Sequence, residues 1–333
     1  MTSAKNTSAI FNSVPQGYPV LGETIVFKSS TIDLETAPLS GGVLVKVLYL
    51  SIDPYLRGKM RDATVNSYSD AYRLGKPIWG YAIVSVVRSE MENIHPDDVL
   101  YVLDCPFEEY TVLSPKHQFS IIKNEANLPL SVYLGVLGMP GETAFYGLEV
   151  VGKPIKGETI FVSSGASAVG SLVIQLAKAK GLKVIASAGS KDKVAFMKSI
   201  GADVAFDYKT ESVTEVLSKQ GPIDIYWDNV GGSTLEATLD ALNMGGRVNA
   251  TNILYKRLRV EGFFVFHARE LYEGKGSVND RIKFFETLVP LVKSGEVRWA
   301  EQTYNGIESV EEGIISVLTG GNIAKVVIKV ADM

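Results

Sequence analysis

Thr159-Ile-Phe-Val-Ser-Ser-Gly-Ala-Ser-Ala-Val-Gly170 decides the fold. Thr159 to Ser163 reads as a strand, the small residues after it as a tight turn, and the amphipathic stretch Ala168 to Lys180 as a helix. Small residues let the backbone approach a pyrophosphate, whose charge meets the unpaired N–H groups and the dipole at the helix N-terminus. The match to G-x-G-x-x-G is incomplete, because glycine is wanted where Ser167 stands, and such a turn also serves as a plain packing device.

Outward from this turn the alternation continues. Lys183 to Ala188 and Val204 to Asp207 read as strands, Lys191 to Ile200 and Glu211 to Lys219 as helices. Ile223 to Asp228, Leu235 to Asn243 and Arg247 to Ala250 extend it as strand, helix and strand. Strands alternating with helices of this length build a parallel sheet covered on both faces, because each crossover returns over the sheet. The expectation is an α/β, doubly wound Rossmann domain. Its second strand ends at Ser187-Ala-Gly-Ser190, where an NAD-binding domain usually places an acid on the adenosine ribose. No acid stands there. Lys193 opens the next helix and Tyr208 lies just past the third strand, both suited to a ribose 2′-phosphate. A carboxylate repels that phosphate and a lysine attracts it, so the pattern favours NADP(H). Lys193 reads otherwise as a solvated lysine in a first helical turn.

Upstream, from Ile25 to Lys123, the rhythm is one of short β-branched and aromatic segments between turn residues: Gly42 to Leu50, Gly80 to Val87, Asp98 to Leu103 and Phe107 to Leu113. These predict an all-β unit, a partly closed barrel. Past the alternating region a helix is expected around Arg281 to Lys293 and strands at Glu301 to Tyr304 and Ala324 to Lys329. With no further strand–helix alternation anticipated there, this part returns to the β-rich unit. The expected division is 1–128 with 290–333 for the β-rich domain and 129–289 for the nucleotide domain.

The bulk numbers agree with two domains in an ordinary globular enzyme: 333 residues, 46% hydrophobic, 21% charged, 31 glycines. A net charge of -4 offers no basic footprint for nucleic acid. The single Cys105 forms no internal disulfide, no secretory h-region opens the chain, and the most apolar stretch, Leu128 to Gly152, is broken by Pro140, Gly141 and Glu142. A cytoplasmic setting without a membrane span is therefore expected. His95, His117 and His267 lie far apart and lack a Cys-x-x-Cys partner, so no zinc site is expected. No Gly-x-Ser-x-Gly elbow or Walker-type turn is present.

Several signatures in order then carry a resemblance over nearly the whole chain. They are Ser51-Ile-Asp-Pro-Tyr-Leu-Arg57, Leu137-Gly-Met-Pro-Gly141 with Thr143-Ala-Phe-Tyr-Gly147, Ala166-Ser-Ala-Val-Gly170, Gly189-Ser-x-x-Lys193, Asp207-Tyr-Lys209, Trp227-Asp-Asn-Val-Gly-Gly232, Leu254-Tyr-Lys-Arg-Leu258 and Gly321-Asn322. The chain resembles the zinc-independent branch of the medium-chain dehydrogenase/reductase superfamily, in its leukotriene B4 12-hydroxydehydrogenase, prostaglandin reductase and alkenal double-bond reductase group. That resemblance implies a Rossmann domain inserted in a β-rich, GroES-like catalytic domain, NADPH as cofactor, a homodimer, and reduction of enones or 2-alkenals. It places Ser167, Ala168, Val169 and Gly170 at the pyrophosphate, and Lys193 and Tyr208 at the 2′-phosphate. It places Asn229 beside the nicotinamide-side ribose, Phe263, Phe264, Val265 and Asn322 around the nicotinamide, and Tyr55 facing the substrate. Tyr55 reads alternatively as a barrel-edge tyrosine with a satisfied hydroxyl, and Phe263 to Val265 as an ordinary buried strand.

Where zinc-dependent relatives carry a Gly-His-Glu ligand motif, this chain has Gly80-Tyr81-Ala82. Enone reduction instead needs hydride at the β-carbon while hydrogen-bond donors polarise the carbonyl and stabilise the enolate, and Tyr55 is the candidate donor. One departure stands out: a Cys-Gly-x-Ile-Ser-x-Tyr-Asn segment and its loop, carried by relatives after the position of Thr251, are absent. The remaining readings are a quinone reductase and a catalytically weak NADPH-binding sensor.

Overall fold

The computed structural model describes residues 3–247, 259, 261–274 and 281–333. Two compact units result, Met1–Leu134 with Glu301–Met333, and Gly135–Ala300.

In the first unit β1 (Ser3–Phe11) pairs antiparallel with β2 (Ile25–Asp33). The sequence pattern does not announce β1, because its buried side chains include Asn6, Thr7 and Ser8. Their polar atoms are paired: Asn6 Nδ2 donates to the Tyr110 carbonyl and Asn6 Oδ1 accepts from the Tyr110 N–H, both at 2.9 Å, while Ser8 Oγ donates to Glu108 Oε1 at 3.0 Å. β3 (Val43–Ile52) is the spine of a larger sheet. Its Val43, Leu44, Val45, Val47, Leu48 and Leu50 are all buried, as a β-branched and aliphatic run between other strands requires. The short helix α1 (Tyr55–Lys59) follows β3 directly. β4 (Trp79–Ser89), β5 (Val99–Pro106), β6 (Tyr110–Leu113) and β7 (Phe119–Ile121) complete the N-terminal part, with β6 paired to β3.

The second unit opens with α2 (Met139–Tyr146) and then alternates. β8 (Thr159–Val162), α3 (Ala168–Ala179), β9 (Lys183–Ala188), α4 (Lys191–Ser199), β10 (Val204–Asp207), α5 (Val213–Gln220), β11 (Ile223–Trp227), α6 (Gly232–Ala241) and β12 (Leu242–Arg247) succeed one another. The strands are parallel in the order β10-β9-β8-β11-β12. Chain progression therefore reverses beside β8, and such a reversal opens a crevice at the carboxyl ends of the strands. Phe161 stacks on Tyr226 at 5.2 Å and on Phe206 at 6.1 Å, fastening β8, β11 and β10 on one face. The helix expected over 235–243 ends earlier, because Leu242 turns extended and begins β12. The strand expected at Arg247 to Ala250 lies outside the described residues beyond Arg247, as do the signature at Leu254 to Leu258 and the departure after Thr251.

α7 (Val265–Glu273) and α8 (Ile282–Ser294) close the unit. Phe263 to Val265 are thus not a strand: Phe264 precedes the first turn of α7 with half its surface exposed, and Val265 is buried. α2 is tied to both later segments through Glu142, a buried carboxylate that accepts from Arg269 Nη1 at 3.0 Å and Arg281 Nη1 at 2.9 Å.

The chain then returns to the first sheet with β13 (Glu301–Asn305), α9 (Val310–Thr319) and β14 (Lys325–Lys329). β13 runs parallel to β14, and β14 antiparallel to β3. Contrary to the sequence expectation, a strand–helix–strand unit does occur here. Gly313 conceals it: a Cβ there would stand 3.1 Å from Ile328 Cδ1, so the residue that weakens the helical pattern is the one that lets α9 lie close on the sheet.

Replacing Glu142 by Gln removes the anion shared by two buried guanidinium groups. The expected loss is about 3 kcal/mol, read as a lower urea midpoint; a variant as stable as the parent would show that the triad adds nothing to the packing of α2.

Candidate active site

At the β8–α3 turn Ser164 adopts a left-handed φ of 51° and the Gly165 N–H donates to the Ser187 carbonyl at 2.9 Å. Ser167 is extended, with φ -80° and ψ 171°, a conformation open to any residue, and its Oγ accepts from the Gly170 N–H at 3.0 Å. Serine here therefore does the work of an N-cap, which is why no glycine is needed at this position. Gly170 is different. A Cβ on it would lie 2.4 Å from the Ser164 carbonyl oxygen, so the helix start is pressed against the turn. With Gly170 capped, the N–H groups of Ala168 and Val169 have no carbonyl of their own helix to meet and face the mouth of the turn.

At the ends of β9 and β10 a second feature forms. Tyr208 and Lys209 fold over Gly189, where a Cβ would come within 3.0 Å of Tyr208 Oη and 2.9 Å of Lys209 Cε. Lys193 enters from the first turn of α4, whose N-cap Ser190 accepts from the Lys193 N–H at 3.4 Å. The Lys193 ammonium is held below the ordinary lysine range, first by burial and then by the charge of Lys209. The charge of Lys209 disfavours the Lys193 ammonium, an effect that an anion near both offsets. Asp207 Oδ1 accepts the Lys209 N–H at 3.0 Å, and Asp192 is exposed.

At the sheet's reversal point Ser163 organises the ends of β8 and β11. Its Oγ accepts from the Asn229 N–H at 2.9 Å, and its carbonyl accepts from Asn229 Nδ2 at 2.8 Å. Asn229 Oδ1 accepts from Trp227 Nε1 at 3.2 Å, so the side chain is held at both ends. Asp228 Oδ1 accepts from Tyr226 Oη at 2.8 Å and from the Val230 and Gly231 N–H groups at 2.9 and 2.7 Å, shaping the loop beyond. The Trp227 ring meets Phe263 edge-on at 5.8 Å. Gly147 admits both rings, since a Cβ there would lie 2.4 Å from each.

On the β-rich unit, Tyr55 begins α1 with its ring edge-on to Tyr81 at 6.1 Å. A Cβ on Gly80 would approach Tyr55 Oη to 3.0 Å. Among the described residues the hydroxyl makes no hydrogen bond, so the reading of a barrel-edge tyrosine with a satisfied hydroxyl is not what the described contacts give. Burial first, and then the charge of Asp53, hold the phenol well above the ordinary tyrosine range, so it stays protonated as a donor. Asn322 donates through Nδ2 to the Ala324 carbonyl at 2.8 Å. Because β14 pairs with β3 through Val326 and Ile52, Asn322 and Tyr55 flank the same end of that ladder. Among the described residues no group of three or more His, Cys, Asp or Glu side chains is placed to hold a metal ion.

Comparison with known proteins matches residues 8–121 to a family described as the N-terminal domain of oxidoreductase and residues 168–279 to one described as zinc-binding dehydrogenase. The chain is 37% identical to the 2-alkenal reductase (NADP(+)-dependent) of Nicotiana tabacum over 98% of both chains. It is 35% identical to the (+)-pulegone reductase of Mentha piperita over 92% of this chain and 93% of that one. CurA of Vibrio vulnificus, solved in complex with NADPH, superposes with a TM-score of 0.84 at 28% identity, covering 98% of this chain and all of that one. This chain belongs to the zinc-independent alkenal reductase group of the medium-chain dehydrogenase/reductase superfamily.

In this member of the group, Ser167, Ala168, Val169, Gly170, Lys193, Tyr208 and Asn229 gather along the carboxyl edge of one parallel sheet. Phe263 adjoins them through Trp227, whereas Tyr55 and Asn322 belong to the other unit. Lys209 is the residue that sequence reasoning passed over. The logic that singled out Lys193, a cation where the ribose acid is missing, applies equally to a lysine directly after Tyr208.

Alanine in an exposed helix normally gains about 1 kcal/mol over glycine. At Gly170 the sign is expected to reverse, with Gly170→Ala losing about 2 kcal/mol in thermal or urea unfolding. Equal or higher stability would mean that α3 does not press on the turn.

Proposed function

We propose that this chain is an NADPH-dependent reductase of carbon–carbon double bonds conjugated to a carbonyl, acting on 2-alkenals and enones. NADP(H) fits the residues present: glycine-tight backbone for the pyrophosphate at Ser167 to Gly170, and two cations with a phenol for the 2′-phosphate at Lys193, Lys209 and Tyr208. Asn229 holds the nicotinamide-side ribose, and Phe263, Phe264, Val265 and Asn322 bound the nicotinamide. When bound, NADPH supplies the hydride that the β-carbon receives.

The chain's own part is electrostatic. The observation that carries the reading is the hydroxyl of the half-buried Tyr55, a donor kept protonated and without a hydrogen bond among the described residues. It donates to the substrate carbonyl oxygen and strengthens that bond as negative charge develops there. The conjugated carbonyl is the substrate class that needs only such a donor, and the two plant relatives carry the names of reductases of this chemistry. A homodimer in the cytoplasm is part of the same proposal. Among the described residues no helix is long and apolar enough to cross a membrane.

Purified protein is expected to oxidise NADPH with 2-alkenals and enones, and preference for quinones across the same panel would overturn the substrate assignment; binding of NADPH without turnover of either would turn the reading to a sensor. Tyr55→Phe should lower kcat about a hundredfold with little change in NADPH affinity. Lys193→Ala and Lys209→Ala should each weaken NADPH about tenfold and leave NADH untouched in calorimetric titration. Equal losses for the two dinucleotides would remove the 2′-phosphate from that corner.

A further inference from the structure

Lys59 lies one helical turn beyond Tyr55, on the same face of α1, and is 4% exposed. Among the described residues its ammonium donates no hydrogen bond and joins no ion pair. It faces aromatic rings instead: Nζ sits 2.9 Å from the centroid of Trp79, 5.3 Å from that of Tyr55 and 5.9 Å from that of Tyr72. The cage is itself braced. Tyr72 Oη donates to the Trp79 carbonyl at 2.8 Å, the Tyr72 N–H donates to the Lys59 carbonyl at 2.8 Å, and the Tyr72 and Trp79 rings meet edge-on at 6.0 Å.

A buried ammonium is costly, and a methionine of the same length would fill the space without that cost. What the charge adds is directed at the rings, since a cation over an aromatic face is attracted to its electron density. Of the three rings only that of Tyr55 carries a hydroxyl without a partner among the described residues. The geometry points to Lys59 as a positioning residue for the reduction: its caged ammonium holds the Tyr55 ring in place and makes the Tyr55 phenol a stronger donor to the substrate oxygen. This inference rests on Tyr55 being the carbonyl donor.

The surroundings set when the charge is present. Burial brings Lys59 down to about 8, with Asp70 and Asp104 pulling upward and Arg61 downward. Tyr55 in turn faces Tyr72, Tyr81, Tyr101 and Asp53, and the Asp53 carboxylate is already met by Lys325 Nζ at 2.8 Å. The ammonium is therefore in place below pH about 8 and is lost as the pH rises through that value, while the phenol remains protonated throughout.

The test uses the full-length enzyme with NADPH and one 2-alkenal, comparing parent, Lys59→Met, Lys59→Arg, Tyr55→Phe and the Lys59→Met/Tyr55→Phe double variant. In the parent, kcat is expected to fall several-fold as the pH rises through about 8. Lys59→Met should lose about tenfold below that pH and show no step there. Lys59→Arg should restore most of what Met removes and keep it to higher pH, because a guanidinium does not deprotonate in this range. In the Tyr55→Phe background Lys59→Met should cost little more. NADPH affinity should be the same in all five. Trp79 fluorescence, taken as the parent minus Trp79→Phe, should titrate with the same midpoint and lose that step in Lys59→Met, which reads the cage without reference to activity.

A folded Lys59→Met with the parent's kcat and pH profile overturns the inference while a slow Tyr55→Phe leaves the Tyr55 reading standing. A fully active Tyr55→Phe overturns both. Should Lys59→Met fail to fold, Lys59→Arg alone decides: loss of the alkaline step supports the inference and its persistence overturns it.

Discussion

The β-rich unit is assembled from two stretches of chain far apart in sequence, and the buried contact between Asp53 and Lys325 fixes how they meet. Lys325 Nζ donates to Asp53 Oδ1 at 2.8 Å and to the Ile52 carbonyl at 2.7 Å, while Ser51 Oγ donates to Asp53 Oδ2 at 2.5 Å. Burial depresses the Lys325 ammonium, and the neighbouring Asp53 opposes that shift. Such a pair adds little net stability over a well-packed apolar one, yet it tolerates no register slip: moving β14 by one residue sends Lys325 to the other face of the sheet. Tyr55 begins two residues past Asp53, and Asn322 stands three residues before Lys325. Both inherit their places from this contact.

The nucleotide unit obeys a different constraint, close approach of backbone. Gly170 under Ser164, Gly165 against Met197 and Gly147 against Trp227 and Phe263 all remove a Cβ where two elements meet. The packing brings unpaired N–H groups to the sheet edge, and beside them stand Lys193 and Lys209. Under the proposed function, neutral donors meet the pyrophosphate and paired cations meet the extra phosphate. The two tasks fall to neighbouring strand ends, β8 for the first and β9 with β10 for the second.

Much of this is legible in sequence because it is periodic. The alternation from Thr159 to Asp228 gives the parallel sheet, and the missing acid at Ser187 to Ser190 gives the cation's place. What escapes is carried by residues that break their local pattern for a tertiary reason. Asn6, Thr7 and Ser8 are polar in a buried strand because Tyr110, Ser29 and Glu108 meet them. Gly313 weakens the helical pattern in sequence so that α9 can lie on Ile328. Ser167 replaces an expected glycine because the backbone there is extended and a cap is more useful than freedom. Lys59 reads as one more charge in Arg57-Gly-Lys-Met-Arg61 until Trp79, twenty residues on, is seen to cover it.

Lys59 and Lys193 show the same physical event put to opposite use. Burial is the largest influence lowering both ammonium groups. At Lys193 the second influence is another cation, Lys209, and under the proposed function the two meet the 2′-phosphate. At Lys59 the groups facing the ammonium most closely are three π faces, with Asp70, Asp104 and Arg61 acting from farther off, and the rings satisfy the cation without neutralising it and leave its field acting on the ring of Tyr55. A carboxylate in the place of Trp79 would have cancelled that field at short range. Aromatic solvation of a buried charge thus keeps it effective at a distance, which is what a donor to a developing oxyanion requires.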